Sequence, residues 1–247
     1  RCDRCLGWNF KIPARYKSSR FPGKPLVDIQ GKPMIQHVFE KAVHSGLFEK
    51  VVVATDDDRI KNTVLAFGGE VAMTNPDHQS GTDRCGELVN SLLDTYDVVI
   101  NIQGDEPFIH KSQLEDLVQL FKTTPAEIGT LKKELNNIED VHNKNVVKVV
   151  AGIDKRALYF SRNPIPFVRD AEKLDWLNNQ KFYKHLGLYG YKVSVLKELV
   201  KLPASDLEKS ENLEQLRWLE NGYQVFISET EHESIGIDTP EDLEKIK

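Results

Sequence analysis

Asp97-Val98-Val99-Ile100-Asn101-Ile102-Gln103-Gly104-Asp105-Glu106-Pro107 is the stretch on which the fold turns. An almost unbroken apolar run stops abruptly at a glycine and two acids. A strand apolar on both faces needs cover on both faces, which is the condition of a central strand in a parallel sheet. The same pattern recurs upstream. Lys50 to Ala54 is a β-branched run stopped by Asp56-Asp57-Asp58, acids that suit a helix N-terminus. A helix to about Phe67 ends at Gly68-Gly69, Glu70 to Met73 reads as a short strand, and Thr82 to Leu93 as the next helix. Ser112 is placed to cap a further helix, with Glu115 completing a capping box. Strand–helix alternation at this spacing predicts an α/β fold with a doubly wound, mostly parallel sheet.

The second half is less regular. Asn145 to Val150 and Ala157 to Phe160 are predicted strands that form a hairpin or extend the sheet, and residues 170–181 read as an exposed polar loop. His185 to Tyr191 reads as a strand, Val193 to Leu202 as a helix, and Ser210 to Glu220 as a helix ended by Gly222. Ser234 to Asp238 is a predicted strand entering Thr239-Pro240-Glu241-Asp242, which has a threonine cap, proline at the first helical position and a carboxylate at the third. With no internal repeat and no low-complexity linker, residues 1–247 read as one domain with an elaborated second half and an atypical N-terminal segment at 1–11.

Composition narrows the function classes. The 247 residues carry a net charge of −5, from 33 basic against 38 acidic side chains, which argues against a nucleic-acid partner. Hydrophobic residues make up 40% and charged residues 29%, an ordinary globular mixture. No apolar run approaches the roughly 18 residues of a membrane span, and residues 1–11 lack the apolar core of a signal peptide. A cytoplasmic protein without a membrane partner is expected. Cys2, Cys5 and Cys85 make no disulfide framework, and the Cys2–Cys5 pair has no second pair nearby to complete a zinc site.

In open parallel sheets, ligands bind beyond the carboxyl ends of the strands. After the first strand comes Pro13-Ala14-Arg15-Tyr16-Lys17-Ser18-Ser19-Arg20-Phe21-Pro22-Gly23-Lys24-Pro25. Its cations, hydroxyls and glycine suit a polyphosphate: guanidinium forks can wrap the oxygens, and Lys24 supplies a point charge. The loop is neither a Walker A sequence nor a GxGxxG, so P-loop kinase and dinucleotide readings lose support. Asp105 follows a strand beside Gly104 and suits magnesium, which takes one or two protein carboxylates and completes its shell with phosphate and water. Asp238, at the end of a second predicted strand, is the other candidate ligand. Two such acids and a basic loop together point to metal-assisted nucleotidyl transfer.

PARYKSSRFPGKPL, DHQSGTDR, NIQGDEP, NVVKVV, ALYFSRNPIP, KHLGLYGY, LEQLRWL and GIDTPEDL follow one another in this order. In these motifs, over about residues 12 to 247, the chain resembles the 3-deoxy-manno-octulosonate cytidylyltransferase family. The resemblance implies a Rossmann-like nucleotide-diphospho-sugar transferase fold. It also implies transfer of CMP from CTP to the anomeric hydroxyl of 3-deoxy-D-manno-octulosonate (Kdo) for lipopolysaccharide biosynthesis, with Mg2+ as cofactor and a homodimer as the assembly. Arg15, Arg20 and Lys24 would hold the triphosphate, with Ala14 and Ser19 contributing backbone or hydroxyl contacts. Gln79, Ser80, Gly81 and Arg84 would border the cytidine, and Asp105 and Asp238 would be the magnesium ligands. Catalysis would fall to Arg15, Lys24, Asp105 and Asp238.

On the sugar side, Arg162 would pair with the Kdo carboxylate, and Gln103, His185, Tyr189, Glu214 and Gln215 would meet the sugar. His185 is read as a positioning group before a general base. The alternatives are a cytidylyltransferase for sialic acid or an amino-Kdo derivative, a glycosyltransferase using Asp56-Asp57-Asp58 as a DxD, and a sensor without chemistry. The departure from the family pattern is at residues 1–11 and the first strand, where Asn9 and Lys11 interrupt the apolar run.

Overall fold

The apolar runs become strands and the patterned segments between them become helices. A computed structural model describes residues 8–17, 21–78, 80–91, 96–233, 236–237 and 239–244. In chain order, β1 (Trp8–Ala14), β2 (Asp28–Ile29), β3 (Lys32–Pro33), α1 (Met34–Ser45), β4 (Lys50–Thr55), α2 (Asp58–Ala66) and β5 (Glu70–Met73) come first. Then follow α3 (Gly81–Ser91), β6 (Val98–Asn101), α4 (Lys111–Thr123), β7 (Ile128–Leu135), α5 (Ile138–His142), β8 (Lys148–Ala151), β9 (Ala157–Ser161) and α6 (Trp176–Asn179). The chain ends with β10 (Phe182–Lys192), α7 (Val193–Leu199), α8 (Asp206–Glu211), α9 (Glu214–Glu220), β11 (Val225–Glu229) and α10 (Pro240–Glu244). These elements gather into two compact units, one of residues 1–115, 188–200 and 234–247, the other of 116–187 and 201–233. Nearly all of the second unit comes from the elaborated second half of the sequence.

In the first unit the strand order is β10-β6-β1-β4-β5. Strands β6, β1, β4 and β5 are parallel, and β10 runs antiparallel to β6. The register aligns Phe10 with Val51 and Ile100, so β1 and β6 deliver their following loops at the same edge. Val52, Ala54 and Leu88 pack together with Ala72, which places α3 on one face. Below the strand ends, Ile29, Met34 and Ile237 form a cluster joined by Phe21, Phe108 and Leu243. The expected doubly wound, mostly parallel α/β architecture is what these elements build.

In the second unit β7 runs parallel to β11, from Ile128 opposite Val225 to Lys132 opposite Glu229. Strands β8 and β9 form the anticipated antiparallel hairpin, and β8 pairs with β10 at Lys148 and Lys184. Leu135, Val141, Trp176 and Phe182 are its buried cluster, with Trp176 stacked on Phe182 at 5.8 Å.

Several expectations are corrected. Ser112 does not cap α4: the helix begins at Lys111, and the Gln113 side chain takes the His110 N–H at 2.9 Å while the Ser112 hydroxyl pairs with the His110 ring. Residues 170–181 are more than an exposed loop, because α6 anchors the segment through buried Trp176. The helix expected over 210–220 is two helices, α8 and α9, separated where Asn212 adopts φ 52° and ends the first. Asp57, as anticipated, caps α2 by accepting the Arg59 N–H. Thr239 and Asp242 form the expected reciprocal cap of α10. Ser234, Ile235 and Asp238, together with Cys2 and Cys5, lie outside the described residues.

Lys11 is a polar residue in the middle of the sheet. It sits on β1 between Val52 and Asn101 and is 1% exposed. Neither its Nζ nor the Asn101 Oδ1 has a hydrogen-bond partner among the described residues. Burial pushes the Lys11 ammonium down to about 8, against a smaller opposing pull from Cys85. A lysine lowered in this way favours the fold in its neutral form. Its contribution is complete above the unfolded value of 10.5 and is lost as pH falls through about 8. Lys11→Met is therefore expected to raise unfolding stability at pH 7 by about 2–3 kcal/mol and to flatten the rise in stability between pH 8 and 10. Urea unfolding at pH 7 and 10 checks this, and a variant no more stable than its parent at pH 7 contradicts it.

Candidate active site

The loop after β1 closes on itself before it reaches any ligand. Gly23 donates its N–H to the Tyr16 carbonyl at 2.9 Å. Gly23 holds φ 73° beneath the Tyr16 ring, where a Cβ would lie 3.1 Å from the ring edge. Only glycine takes both the left-handed backbone and that close approach without strain. Outside the loop, the Arg59 guanidinium lies 3.2 Å from the centroid of Tyr16, and its Nε and Nη2 grip Asp57 at 2.9 and 2.6 Å. Tyr16 and Arg59 were not among the sequence-derived candidates. Their role depends on contacts between two loops, which no motif in the chain announces. Asp57, the middle residue of the formal DxD, is committed to Arg59 and to capping α2.

Gly23 then starts a single 3-10 turn, Lys24–Leu26, which buries Lys24. Lys24 Nζ reaches Asp105 Oδ2 at 2.6 Å, joining the loop after β1 to the loop after β6. Gly104 makes that approach possible, because a Cβ there would stand 2.9 Å from the Pro13 carbonyl oxygen. The Asp105 carbonyl accepts the Ile237 N–H at 3.0 Å, so the segment leading to residue 238 is tied to the same point. Arg15 follows β1 directly and Ala14, its buried last residue, packs beside Gly104. Ser19, Arg20, Gln79 and Asp238 lie outside the described residues.

Gly81 packs against Pro13, and a Cβ on it would lie 3.5 Å from Gln103 Oε1, so the starts of three loops meet here. Ser80 caps α3: its N–H donates to Asp83 Oδ2 and its Oγ accepts the Asp83 N–H, each at 3.0 Å. Arg84 is completely buried. Its Nη1 bonds Thr74 Oγ1 and its Nη2 stands 3.5 Å from Asp56 Oδ1, while Nε and Nη2 have no hydrogen bond among the described residues. Burial, and then the neighbouring Arg15, lower the Arg84 pKa against the pull of Asp56. Among the described residues, Asp56 is the anion that this buried guanidinium faces.

No cluster of three or more His, Cys, Asp or Glu suited to a metal occurs among the described residues. Magnesium on a nucleotide does not need one, since one or two carboxylates suffice when phosphate and water complete the shell. Asp105 offers one carboxylate beside an anchored strand end, and that donor set fits the ion.

The remaining candidates differ in how they are held. Tyr189, in the part of β10 belonging to the first unit, is buried, pairs in register with Asn101 and stacks on Tyr191 at 5.8 Å. In the second unit, three nitrogens of the Arg162 guanidinium donate to the carbonyls of Glu211, Lys144 and Asn212 at 2.6, 3.1 and 3.2 Å. Much of this side chain therefore braces its own loop. Lys148 holds the Arg162 carbonyl at 2.6 Å from below. His185 packs edge-on against Phe160 at 4.9 Å, and burial pushes its imidazole down to about 3. Such a ring is neutral near pH 7 and is a poor proton acceptor, which favours positioning over general-base catalysis. Gln215 is buried on α9, and Glu214 beside it lies 4.0 Å from Arg217.

Comparison with known proteins gives consistent relatives. A family model described as cytidylyltransferase matches residues 11–245. A 3-deoxy-manno-octulosonate cytidylyltransferase of Parabacteroides distasonis is 52% identical over 95% of this chain and 94% of its own. One of Phocaeicola vulgatus is 54% identical over 94% and 92%. Among solved structures, a CMP:2-keto-3-deoxy-manno-octonic acid synthetase complexed with CTP aligns with a TM-score of 0.90 at 43% identity, covering 97% of this chain and 96% of that one. A 4-diphosphocytidyl-2C-methyl-D-erythritol synthase from Anaerococcus prevotii, at 11% identity and TM-score 0.64 over 98% of this chain and 96% of its own, shares the fold alone.

Proposed function

The chain belongs to the 3-deoxy-manno-octulosonate cytidylyltransferase family, and from that premise we propose how its own residues carry the reaction. The protein transfers CMP from CTP to the anomeric hydroxyl of Kdo and releases pyrophosphate. The observation that carries the residue assignment is the 2.6 Å contact between Lys24 and Asp105, which brings a phosphate-type cation and a metal-type carboxylate to one point.

In the reaction the sugar oxygen attacks the α-phosphorus of CTP in line as the bond to the β-phosphate oxygen breaks. Arg15 and Lys24 neutralise charge growing on the departing pyrophosphate, with Arg20 and Ser19 completing the triphosphate loop and Ala14 lining it. Gln79, Ser80, Gly81 and Arg84, at and just before the start of α3, border the cytidine. Asp105 and Asp238 would hold Mg2+, which when bound supplies Lewis-acid polarisation of phosphate oxygens. Lys24, which holds Asp105 at 2.6 Å, would also be within the triphosphate loop's reach of the phosphate oxygens of CTP. On the sugar side, Gln103, His185, Tyr189, Glu214 and Gln215 position hydroxyls. Arg162 offers the Kdo carboxylate those N–H groups that its own loop does not use.

The proposal extends to a cytoplasmic homodimer serving lipopolysaccharide biosynthesis. Large exposed apolar side chains on the second unit, Phe167 and Leu174 among them, support a partner surface. No helix among the described residues is long and apolar enough to cross a membrane.

Pyrophosphate release from CTP tests the reading. It is expected with Kdo, to fall at least about a hundredfold on chelation of magnesium, and to return when the metal is restored. Release that survives chelation would remove the metal from the assignment. Release with sialic acid in place of Kdo would overturn the sugar side.

A further inference from the structure

Glu211 is the last residue of α8, and Asn212 follows it at φ 52°. The carbonyls of both accept from the Arg162 guanidinium, Nε donating to Glu211 at 2.6 Å and Nη2 to Asn212 at 3.2 Å. Nη1 donates to the Lys144 carbonyl at 3.1 Å. Three of the five guanidinium N–H groups are thus spent, and every acceptor is neutral. The Glu211 carboxylate is turned elsewhere. Its Oε2 accepts the Arg162 main-chain N–H at 2.9 Å, and its Oε1 accepts the Ser161 hydroxyl at 2.7 Å. Buried Lys148 donates to the Arg162 carbonyl at 2.6 Å, so the peptide groups on both sides of the Arg162 Cα are pinned.

We propose that Glu211 is a positioning residue for sugar recognition: it fixes Arg162 for the Kdo carboxylate and keeps its own carboxylate off the guanidinium, leaving that charge to the substrate. The proposal rests on Arg162 pairing with the Kdo carboxylate, as argued above. A guanidinium paired with an acid of its own chain would have to give up that pair before taking the sugar's. Held by backbone carbonyls instead, Arg162 keeps its full charge among the described residues. A long arginine side chain also has much rotamer freedom to lose, and here most of it is lost before the sugar arrives. Less ordering is then left to oppose binding. Glu211 accomplishes both with one residue, its main chain holding the guanidinium and its side chain holding the backbone that carries it.

Steady-state kinetics on a set of variants tests this. Glu211→Ala removes both carboxylate bonds and should raise the KM for Kdo about tenfold, with the KM for CTP unchanged. Glu211→Gln keeps an acceptor for the Arg162 N–H and a polar partner for Ser161, so it should stay within about threefold of the parent. In an Arg162→Ala background, Glu211→Ala should add nothing to the KM for Kdo, because a residue that acts through Arg162 has nothing left to act on. A merely structural role would raise the KM in both backgrounds and disturb CTP as well. If Glu211→Ala does not fold, Ser161→Ala serves in its place, since it removes one of the bonds that hold the carboxylate away. It should raise the KM for Kdo about threefold, and only while Arg162 is present. Additive effects overturn the proposal, as does Glu211→Gln as impaired as Glu211→Ala. So does Glu211→Ala with the parent's KM for Kdo when Arg162→Ala raises it. Arg162→Ala with an unchanged KM for Kdo would instead sink the carboxylate reading on which the proposal rests.

Discussion

Asp105→Ala is expected to lower CMP transfer about a thousandfold, with most of the loss in kcat. Asp105 has two duties that no neighbour can assume. Its Oδ2 balances Lys24 at 2.6 Å, and Lys24 is buried enough that a lone ammonium there is costly. In the working complex, on the reading above, the same carboxylate holds the metal. A thousandfold loss corresponds to about 4 kcal/mol of transition-state stabilisation, within reach of a group that orders a metal on a triphosphate. Asp105→Asn keeps the size and loses the charge, so it should be nearly as inactive. Single-turnover measurements of pyrophosphate release on both variants, with circular dichroism to confirm folding, decide the matter. Activity within tenfold of the parent would remove Asp105 from the catalytic centre.

Gly104→Ala is the second large effect, although glycine contributes no chemistry. The added methyl would stand 2.9 Å from the Pro13 carbonyl oxygen, 3.5 Å from Ile35 Cδ1 and 3.6 Å from Ala14 Cβ. The first of these is backbone at the end of a central strand, and it cannot rotate away as a side chain would. Either β1 or the Asp105 loop must shift, and a displacement of this kind at a reacting centre costs about a hundredfold. Overpacking should also lower stability by about 1–3 kcal/mol. Gly81→Ala is the internal comparison. Its methyl would meet Pro13 Cγ at 3.0 Å, a ring carbon that can pucker, so its loss should be smaller. Steady-state kinetics and thermal unfolding on both variants test the order, and a more damaging Gly81→Ala would contradict it.

Legibility in the sequence followed burial. Strands β4 and β6 declare themselves because covered parallel strands are nearly all apolar, and their following acids mark the carboxyl edge where the site forms. Strand β7 is harder to see, since Lys132 and Lys133 break its apolar run, and β11 has no counterpart in the sequence reading. The division between α8 and α9 was invisible, because Asn212 fits a helical pattern yet takes the left-handed conformation. Trp176 was hidden in a polar stretch because a single aromatic, packed on Phe182, is enough to fold a segment that is otherwise hydrophilic. For the site, the cations and acids could be read from their place after strands. The support could not. That Arg59 stacks on Tyr16, that Gly104 yields to Pro13, and that Arg162 spends donors on its own loop are facts of three-dimensional proximity.

The hydrogen bond from Ile237 to the Asp105 carbonyl has a consequence for how the molecule comes into being. A ribosome delivers the loop after β6 long before it delivers residue 237, and the strands around that loop can pair in the interval. The Asp105 loop nevertheless lacks this hydrogen bond until residue 237 has been made and has docked on it. A nascent chain cut short of residue 237 therefore has its strands but not this tie on the Asp105 loop.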